Sequence, residues 1–421
     1  MNIVCFRFEE EILDKLIKLN TEKGKIVLIR DAWDIENIEY SPELLDRITK
    51  IYQIKSIDSI EELSAIFVTL TIEFGEFDKA ISAVEYAMFA AGFFMSLIKN
   101  DHKYLNTTIA TRDKRYMKKK FGLAKLKYAR NKANYSLEEM GNNSDHNLNY
   151  PVIAKPATGL GCYNTKQVND DEELRRYFEE LDLLVYFKSQ QITLEEYIEG
   201  DEYHLDCVIK NGECKLFIIS KYFVPRLKIA DSIYNVRFKN GSYIIYEDNA
   251  PDLYKEVRKQ FDRLLKEFDI EEGVTHTEFF VNGQGEYYYS EIAKRYAGAI
   301  IPNNIKQTFK IDLLDEWLKS ELDYSDFTPI SKNNKFMAWI LLAPEKEGII
   351  EEIPSREEYL SLPWIKDVEI SVEKGGEFSF SNISLWQVAA IIQAEDENDF
   401  HEKVKKTHEL LPIKTKTPDS D

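Results

Sequence analysis

Two glutamates on adjacent predicted strands carry the first chemical signal in this 421-residue chain. Glu278 lies in Thr275-His-Thr-Glu-Phe-Phe-Val281 and Glu291 in Glu286-Tyr-Tyr-Tyr-Ser-Glu-Ile292, joined by the turn-forming Asn282-Gly-Gln-Gly285. A two-residue turn at Gln284-Gly285 puts Glu278 directly opposite Glu291. A four-residue loop puts Glu291 diagonal to it on the same face, and only the intermediate register separates the two. Like charges facing each other across a hairpin are destabilising, so a cation is expected between them. Two hard oxygen ligands suit Mg²⁺ held together with substrate phosphates. The alternative is a solvated hairpin surface.

Three further segments add to this pair. In Lys155-Pro-Ala-Thr-Gly-Leu-Gly-Cys162 a lysine ends a buried strand and two glycines make a turn whose amides can point at phosphate oxygens. No Gly-Lys-Ser/Thr ending follows, which excludes a Walker A loop and leaves an ordinary tight turn as the competing reading. Leu194-Glu-Glu-Tyr-Ile-Glu-Gly-Asp-Glu202 is too acidic to meet phosphates. Any nucleotide role there concerns adenine and ribose, whose amino group and hydroxyls seek acceptors, and the competing reading is an exposed strand end leading into a turn. From Arg112 to Arg130 the chain turns basic, reading either as a local anion site or as an exposed helix face.

The elements that position these residues follow from periodicity. Ile3 to Phe8, Lys25 to Arg30 and Ile51 to Ile57 read as strands and Glu9 to Asn20 as an amphipathic helix. Ser59 to Phe74 reads as a helix with Ser59 as N-cap and Glu62 at N3, and Lys79 to Lys99 as a long buried helix. This is the rhythm of a parallel α/β sheet, but no Gly-x-Gly-x-x-Gly follows its strands. Asn131 to Asn149 reads as a loop, Pro151 to Ala154 as a strand, Asp171 to Leu181 as a helix and Gln191 to Ile198 as a strand. Then come a hairpin around Asn211-Gly212, a variable stretch from Tyr222 to Pro251 and a helix from Asp252 to Phe268. From about Asn333 a separate β-rich segment begins, closing with a helix over Glu395 to Leu411 and a polar tail, Lys414 to Asp421, expected to be disordered.

Length and composition bound the rest. At roughly 100 to 200 residues per domain the chain holds two to four units. With 55 Lys plus Arg against 74 Asp plus Glu, its net charge of −19 disfavours nucleic acid and anionic membrane surfaces as partners. The longest apolar stretch, Tyr86 to Ile98, is shorter than a membrane span, and the N-terminus is not built like a signal peptide, so a cytoplasmic location is expected. Cys5, Cys162, Cys207 and Cys214 contain no C-x-x-C pair and read as free thiols.

In order and spacing these segments resemble the ATP-grasp enzymes. The resemblance rests on Thr111-Arg-Asp-Lys114 with Gly122, Val152-Ile-Ala-Lys-Pro156 with Gly159-Leu-Gly161, Leu194-Glu-Glu-Tyr-Ile-Glu-Gly200 with Glu202, and Gly273-Val-Thr-His-Thr-Glu278 leading to Glu291-Ile-Ala-Lys-Arg295 and Gly298. It covers residues 110 to 315 strongly. The N-terminal α/β unit, together with Phe336-Met-Ala-Trp339 to Pro344-Glu-Lys-Glu-Gly348, looks like the flanks of the branch that includes biotin carboxylase and the bacterial L-amino acid ligases. The resemblance implies a multidomain α/β and α+β architecture. A parallel α/β domain spans residues 1–105, an ATP-grasp domain 106–330 and a β-rich lid domain 331–413, with a disordered tail over 414–421.

It also implies roles. Lys114 and Lys155 would hold ATP phosphates under a loop containing Gly159, Gly161 and Cys162. Glu195, Glu196, Tyr197 and Ile198 would meet adenine, and Glu202 the ribose. Glu278 and Glu291 would bind Mg²⁺ or Mn²⁺, and Arg295, with Lys155, would act on the transferred phosphoryl group. Lys221 and Arg226 are candidates for the second wall of the site, or surface cations. Two positions depart from the family, Cys162 where Ser is common and Ala293 where Asn is common. The implied activity is ATP-dependent ligation of a small-molecule carboxylate to an amine, amino acids foremost, through an acylphosphate with release of ADP and phosphate. A homodimer is compatible with it. The alternatives are a modifier of a ribosomal peptide, a bicarbonate-activating enzyme (although no Met-Lys-Met carrier segment is present) and a non-catalytic nucleotide-binding module.

Overall fold

The computed structural model describes residues 1–20, 24–136, 148–159, 161–181, 191–331, 333–380 and 387–416. Four parallel strands open the chain: β1 (Ile3–Phe6), β2 (Ile26–Arg30), β3 (Lys50–Gln53) and β4 (Lys79–Ser82), in the order β3-β2-β1-β4. The strands β1 and β2 are buried on both faces, hence their unbroken apolar runs. Ser59 caps helix Ile60–Phe74 by accepting from the Glu62 amide, as expected. The segment Lys79 to Lys99 is not one helix. Its first four residues form the edge strand β4 beside β1, a turn closes where the Val84 amide donates to Ser82 Oγ, and only Met88–Lys99 is α-helical. A continuous apolar run cannot by itself distinguish a buried strand from a buried helix.

The middle of the chain is built from two largely antiparallel layers. The smaller sheet takes β6 (Asn131–Ser136), β7 (Val152–Pro156), β8 (Lys166–Val168) and β9 (Gln191–Glu196) in the order β6-β9-β7-β8. The expected loop over Asn131 to Asn149 therefore begins as a strand whose register, Asn131 opposite Glu195, the tertiary partner imposes. Residues 137–147 of that stretch lie outside the described residues. The larger sheet contains β5 (Lys127–Tyr128), β10 (Asp201–Lys210), β11 (Glu213–Tyr222), β12 (Gly241–Ile245), β13 (Glu272–Val281), β14 (Tyr287–Ala293), β15 (Phe336–Leu341), β17 (Ile365–Ile370) and β19 (Val388–Ala394). Its order is β17-β19-β15-β12-β11-β10-β13-β14-β5.

Of the strands after residue 333, β15, β17 and β19 do not close a sheet of their own. The pairing of β12 with β15, Gly241 opposite Ile340, makes them continuous with the central strands. Gly241 is required at this seam, since a Cβ there would stand 2.0 Å from the Trp339 carbonyl oxygen. A small sheet of β16 (Gly348–Glu352), β18 (Glu377–Phe378) and β20 (Lys414–Lys416) also orders the start of the expected disordered tail, because β20 finds pairing partners in β16. Residues 417–421 of that tail lie outside the described residues. Among the described residues no helix is long and apolar enough to cross a membrane, and all four cysteines are free thiols.

Candidate active site

The hairpin of β13 and β14 aims one face at the core and the other at a cavity. On the core face Phe279 and Tyr289 are fully buried, their rings 5.8 Å apart, and Phe121 lies 5.7 Å from Tyr289. Each such ring contributes roughly 1.5–3 kcal/mol of burial, which pins the register. The loop is the three-residue kind. The Gly285 amide donates to the Asn282 carbonyl, and Gly285 has φ +74°, the left-handed conformation such a loop needs. From it run the pairs Val281–Tyr287, Phe280–Tyr288 and Phe279–Tyr289. This is the intermediate register, which by itself would set Ser290 opposite Glu278. A β-bulge takes up Ser290, so Glu278 pairs with Glu291 after all.

Lysines surround Glu291. Lys155, at the end of β7, reaches Glu291 Oε1 at 3.1 Å and Glu195 Oε2 at 2.9 Å. Lys114 reaches Glu291 Oε2 at 3.3 Å and donates to the Gly159 carbonyl at 2.6 Å. The Thr-Arg-Asp-Lys segment works through its aspartate. Asp113 caps helix Lys114–Leu123, accepting from the Arg115 amide, while the Lys114 amide donates to Ala157. Burial opposes the charge on Glu291, but Lys114, Lys155 and Lys118 outweigh it and hold its carboxyl down at about 2. Burial likewise opposes the charge on Lys155, which Glu195 and Glu291 restore, raising its pKa.

The basic stretch divides by burial. Lys114, Lys118 and Lys120 are buried, whereas Lys119 and Lys127 are exposed, Lys127 pairing with Glu286. Sequence reasoning passed over Lys118. It stands one helical turn after Lys114, a spacing that places both on one face, and it pairs with Glu195 Oε2 at 3.2 Å while donating to the Ser290 carbonyl. Burial lowers its pKa to about 8 despite the glutamate.

A cavity of about 270 Å³ lies between the two sheets, and Lys114, Lys155, Gly159, Gly161, Cys162, Glu195, Glu196, Tyr197, Ile198, Glu202, Glu278, Glu291 and Arg295 all line it. Gly161 and Cys162 both have positive φ, +61° and +58°, so this turn runs through two successive left-handed residues. Burial pushes the Cys162 thiol up to about 12. In the adenine-type segment Glu196 pairs outward with Arg130, whereas the Glu195 carboxylate turns inward to the lysines. Glu195 Oε1 is buried with no hydrogen-bond partner among the described residues, an acceptor of the kind an adenine amino group requires. The Glu202 carboxylate accepts from the Arg226 amide at 2.6 Å. Its pKa rises to about 8, first through burial and then through the charge of Glu278. Three carboxylates meeting in one cleft are what a divalent cation would neutralise, so the residues present fit Mg²⁺. Ala293 lines the same cavity and offers no donor.

Arg295 is anchored by Glu85, Nε to Oε2 at 2.7 Å, and Glu85 also pairs with Arg112. Of the two wall candidates, Arg226 lines the cavity, whereas Lys221 is turned away, bonded to Asp201 at 2.7 Å. Its place in β11 next to Tyr222 sends it to the opposite face. Other residues emerged only from the structure. Tyr222 donates to Glu278 Oε1 at 3.1 Å. His276, 3.6 Å from the same oxygen, is backed by Asp206 at 2.9 Å, and Asp206 also holds His204 at 2.7 Å. The alternation along β13 signals only that His276 shares a face with Glu278. Nothing local signals Glu85, which comes from the N-terminal unit.

The two sheets enclose a cleft in which the lysines face the paired glutamates. The ATP-grasp domain family matches residues 148–303. An L-arginine-specific L-amino acid ligase of Bacillus subtilis is 24% identical over 377 residues, 88% of this chain and 89% of the relative. The crystal structure of an L-amino acid ligase from Bacillus licheniformis superposes with a TM-score of 0.72 at 14% identity, covering 99% of both chains. That of biotin carboxylase from Campylobacter jejuni gives 0.59 at 15% identity, over 98% of this chain and 92% of the other. Residues 148–303 thus match the ATP-grasp domain, and the chain has the multidomain α/β fold of these structures. It is an enzyme of the ligase kind that these relatives represent.

Proposed function

We propose that the protein joins a small carboxylate to an amine at the expense of ATP, with amino acids as the substrates and ADP and phosphate as products, acting in the cytoplasm. The single observation behind this reading is the pairing of Glu278 with Glu291 across the bulged hairpin, with Lys114 and Lys155 on the latter. A site that only bound nucleotide would have no use for a paired carboxylate cluster. The relatives named as L-amino acid ligases support the substrate class.

In this reading Glu195 to Ile198 and Glu202 hold the nucleoside, and the amides around Gly161 and Cys162 cover the phosphates. Mg²⁺, held by Glu278 and Glu291, supplies neutralisation of the phosphoryl charge. Lys114 and Lys155, held 3.3 and 3.1 Å from Glu291, are pre-positioned cations for the γ-phosphoryl oxygens. The substrate carboxylate oxygen attacks the γ-phosphorus, the bond to the β,γ-bridging oxygen breaks, and ADP leaves. Arg295, steadied by Glu85, faces the phosphoryl group in transfer. The amine then attacks the acyl carbon, its nitrogen loses a proton, and phosphate departs, leaving the amide. Such chemistry asks a protein chiefly for positioning and charge neutralisation. Release of ADP and phosphate across a matrix of amino acid pairs, with hydroxylamine to trap the acylphosphate as a hydroxamate, tests the proposal. AMP and pyrophosphate as products would remove it.

A further inference from the structure

The β-bulge at Ser290 sets Glu291 opposite Glu278, and the residue that meets the bulge comes from another element. Ser290 has no partner in the β13–β14 register, so its carbonyl falls outside the regular ladder. Lys118, in helix Lys114–Leu123 and 2% exposed, donates its ammonium to that carbonyl. The same ammonium lies 3.2 Å from Glu195 Oε2, which Lys155 also holds at 2.9 Å, and Lys155 returns to Glu291 Oε1 at 3.1 Å. The result is a closed circuit from Lys118 through Glu195 and Lys155 to Glu291, and back along the backbone to Ser290. Lys118 is not among the residues that line the cavity, although its neighbour Met117 is.

We infer that Lys118 is a positioning residue for the divalent cation: it clamps the Ser290 bulge and thereby fixes Glu291 in register with Glu278, without touching nucleotide itself. The inference rests on the proposed reading of Glu278 and Glu291 as metal ligands. Without the clamp the hairpin retains its core face, through Phe279 and Tyr289, but the extra residue can relax along β14 and carry Glu291 out of opposition. A half-buried carbonyl left without its donor favours such a shift.

The test compares the full-length wild type with Lys118→Met, Lys118→Gln and Lys118→Arg. Mn²⁺ binding is followed by electron paramagnetic resonance of the free ion in the presence of ADP, and ADP affinity is measured without metal by calorimetry. For Lys118→Met the expected result is an unchanged circular dichroism spectrum, metal-free ADP affinity within about threefold of wild type, and Mn²⁺ affinity at least tenfold weaker. Lys118→Arg, which keeps a charged donor, should recover to within about threefold. Unchanged Mn²⁺ affinity in folded Lys118→Met overturns the inference. So does a loss of metal-free ADP affinity with Mn²⁺ binding intact, which would place Lys118 in the nucleotide subsite. Should Lys118→Met fail to fold, Lys118→Gln decides: Mn²⁺ binding at least threefold weaker than wild type supports the clamp, and wild-type binding overturns it. A wild type that binds no Mn²⁺ with ADP instead sinks the metal assignment of the two glutamates, a separate failure.

Discussion

Glu278 stands opposite Glu291 because the β14 strand carries one residue more than its loop length calls for. The pairing therefore depends on a bulge that propensity does not signal, and the consequences of the metal reading follow from it. Glu291→Gln should abolish turnover while leaving most of the nucleotide affinity, since a cation there matters most for charge that develops during transfer. Wild-type kcat in this variant at saturating Mg²⁺ would show the assignment to be wrong.

Four lysines, Lys114 and Lys119 of the basic helix, Lys127 of β5 and Lys155 of β7, divide by burial. Lys155→Ala should lower kcat/KM for ATP more than a hundredfold, on the order of 3 kcal/mol if it acts like one oxyanion-type donor. Lys114→Ala should act in the same direction. Lys119→Ala and Lys127→Ala, exposed side chains away from the cavity, should stay within about twofold. A flat profile across the four, with the fold checked by circular dichroism, would contradict the phosphate site.

In the proposed site Cys162 serves through its backbone, which holds φ +58° beside Gly161. Cys162→Ser should keep turnover within a few-fold of wild type, or raise it, because a hydroxyl is the smaller group and the better phosphate donor. A dead, folded variant would assign the thiol a packing or covalent role.

The buried His408 provides a pH signature remote from the cleft. Burial lowers its pKa to about 4, against a stabilising contact in which Nε2 meets the Arg237 carbonyl at 3.0 Å. The unfolded chain takes up this proton near pH 6.5 and the native chain only near 4. The native state is therefore favoured above the unfolded value, and that advantage is lost as pH falls through this interval. Against wild type, His408→Gln should show a shallower loss of stability between pH 6.5 and 4, by about 3 kcal/mol if the full shift is realised. Urea titrations of both proteins at several pH values measure the difference, and parallel curves would refute it.

What the amino-acid sequence determined by itself was local. The lysine ending an apolar strand, the glycine-bearing turn and the two acidic strands joined by Asn-Gly-Gln-Gly are readable because each is a chemical pattern spanning a few residues. The burial of Lys118 and the inward turn of Glu195 were not readable. Both depend on a four-stranded sheet closing over a helix far away in sequence, which makes a lysine of ordinary spacing into a buried counter-ion. The strand at Lys79 exists because β1 lies alongside it, and the C-terminal strands join the central sheet because β12 offers them an edge. Register was decided last of all. Loop length alone would have parted Glu278 from Glu291, and only the bulge at Ser290, braced by a side chain from another element, brings the two carboxylates face to face.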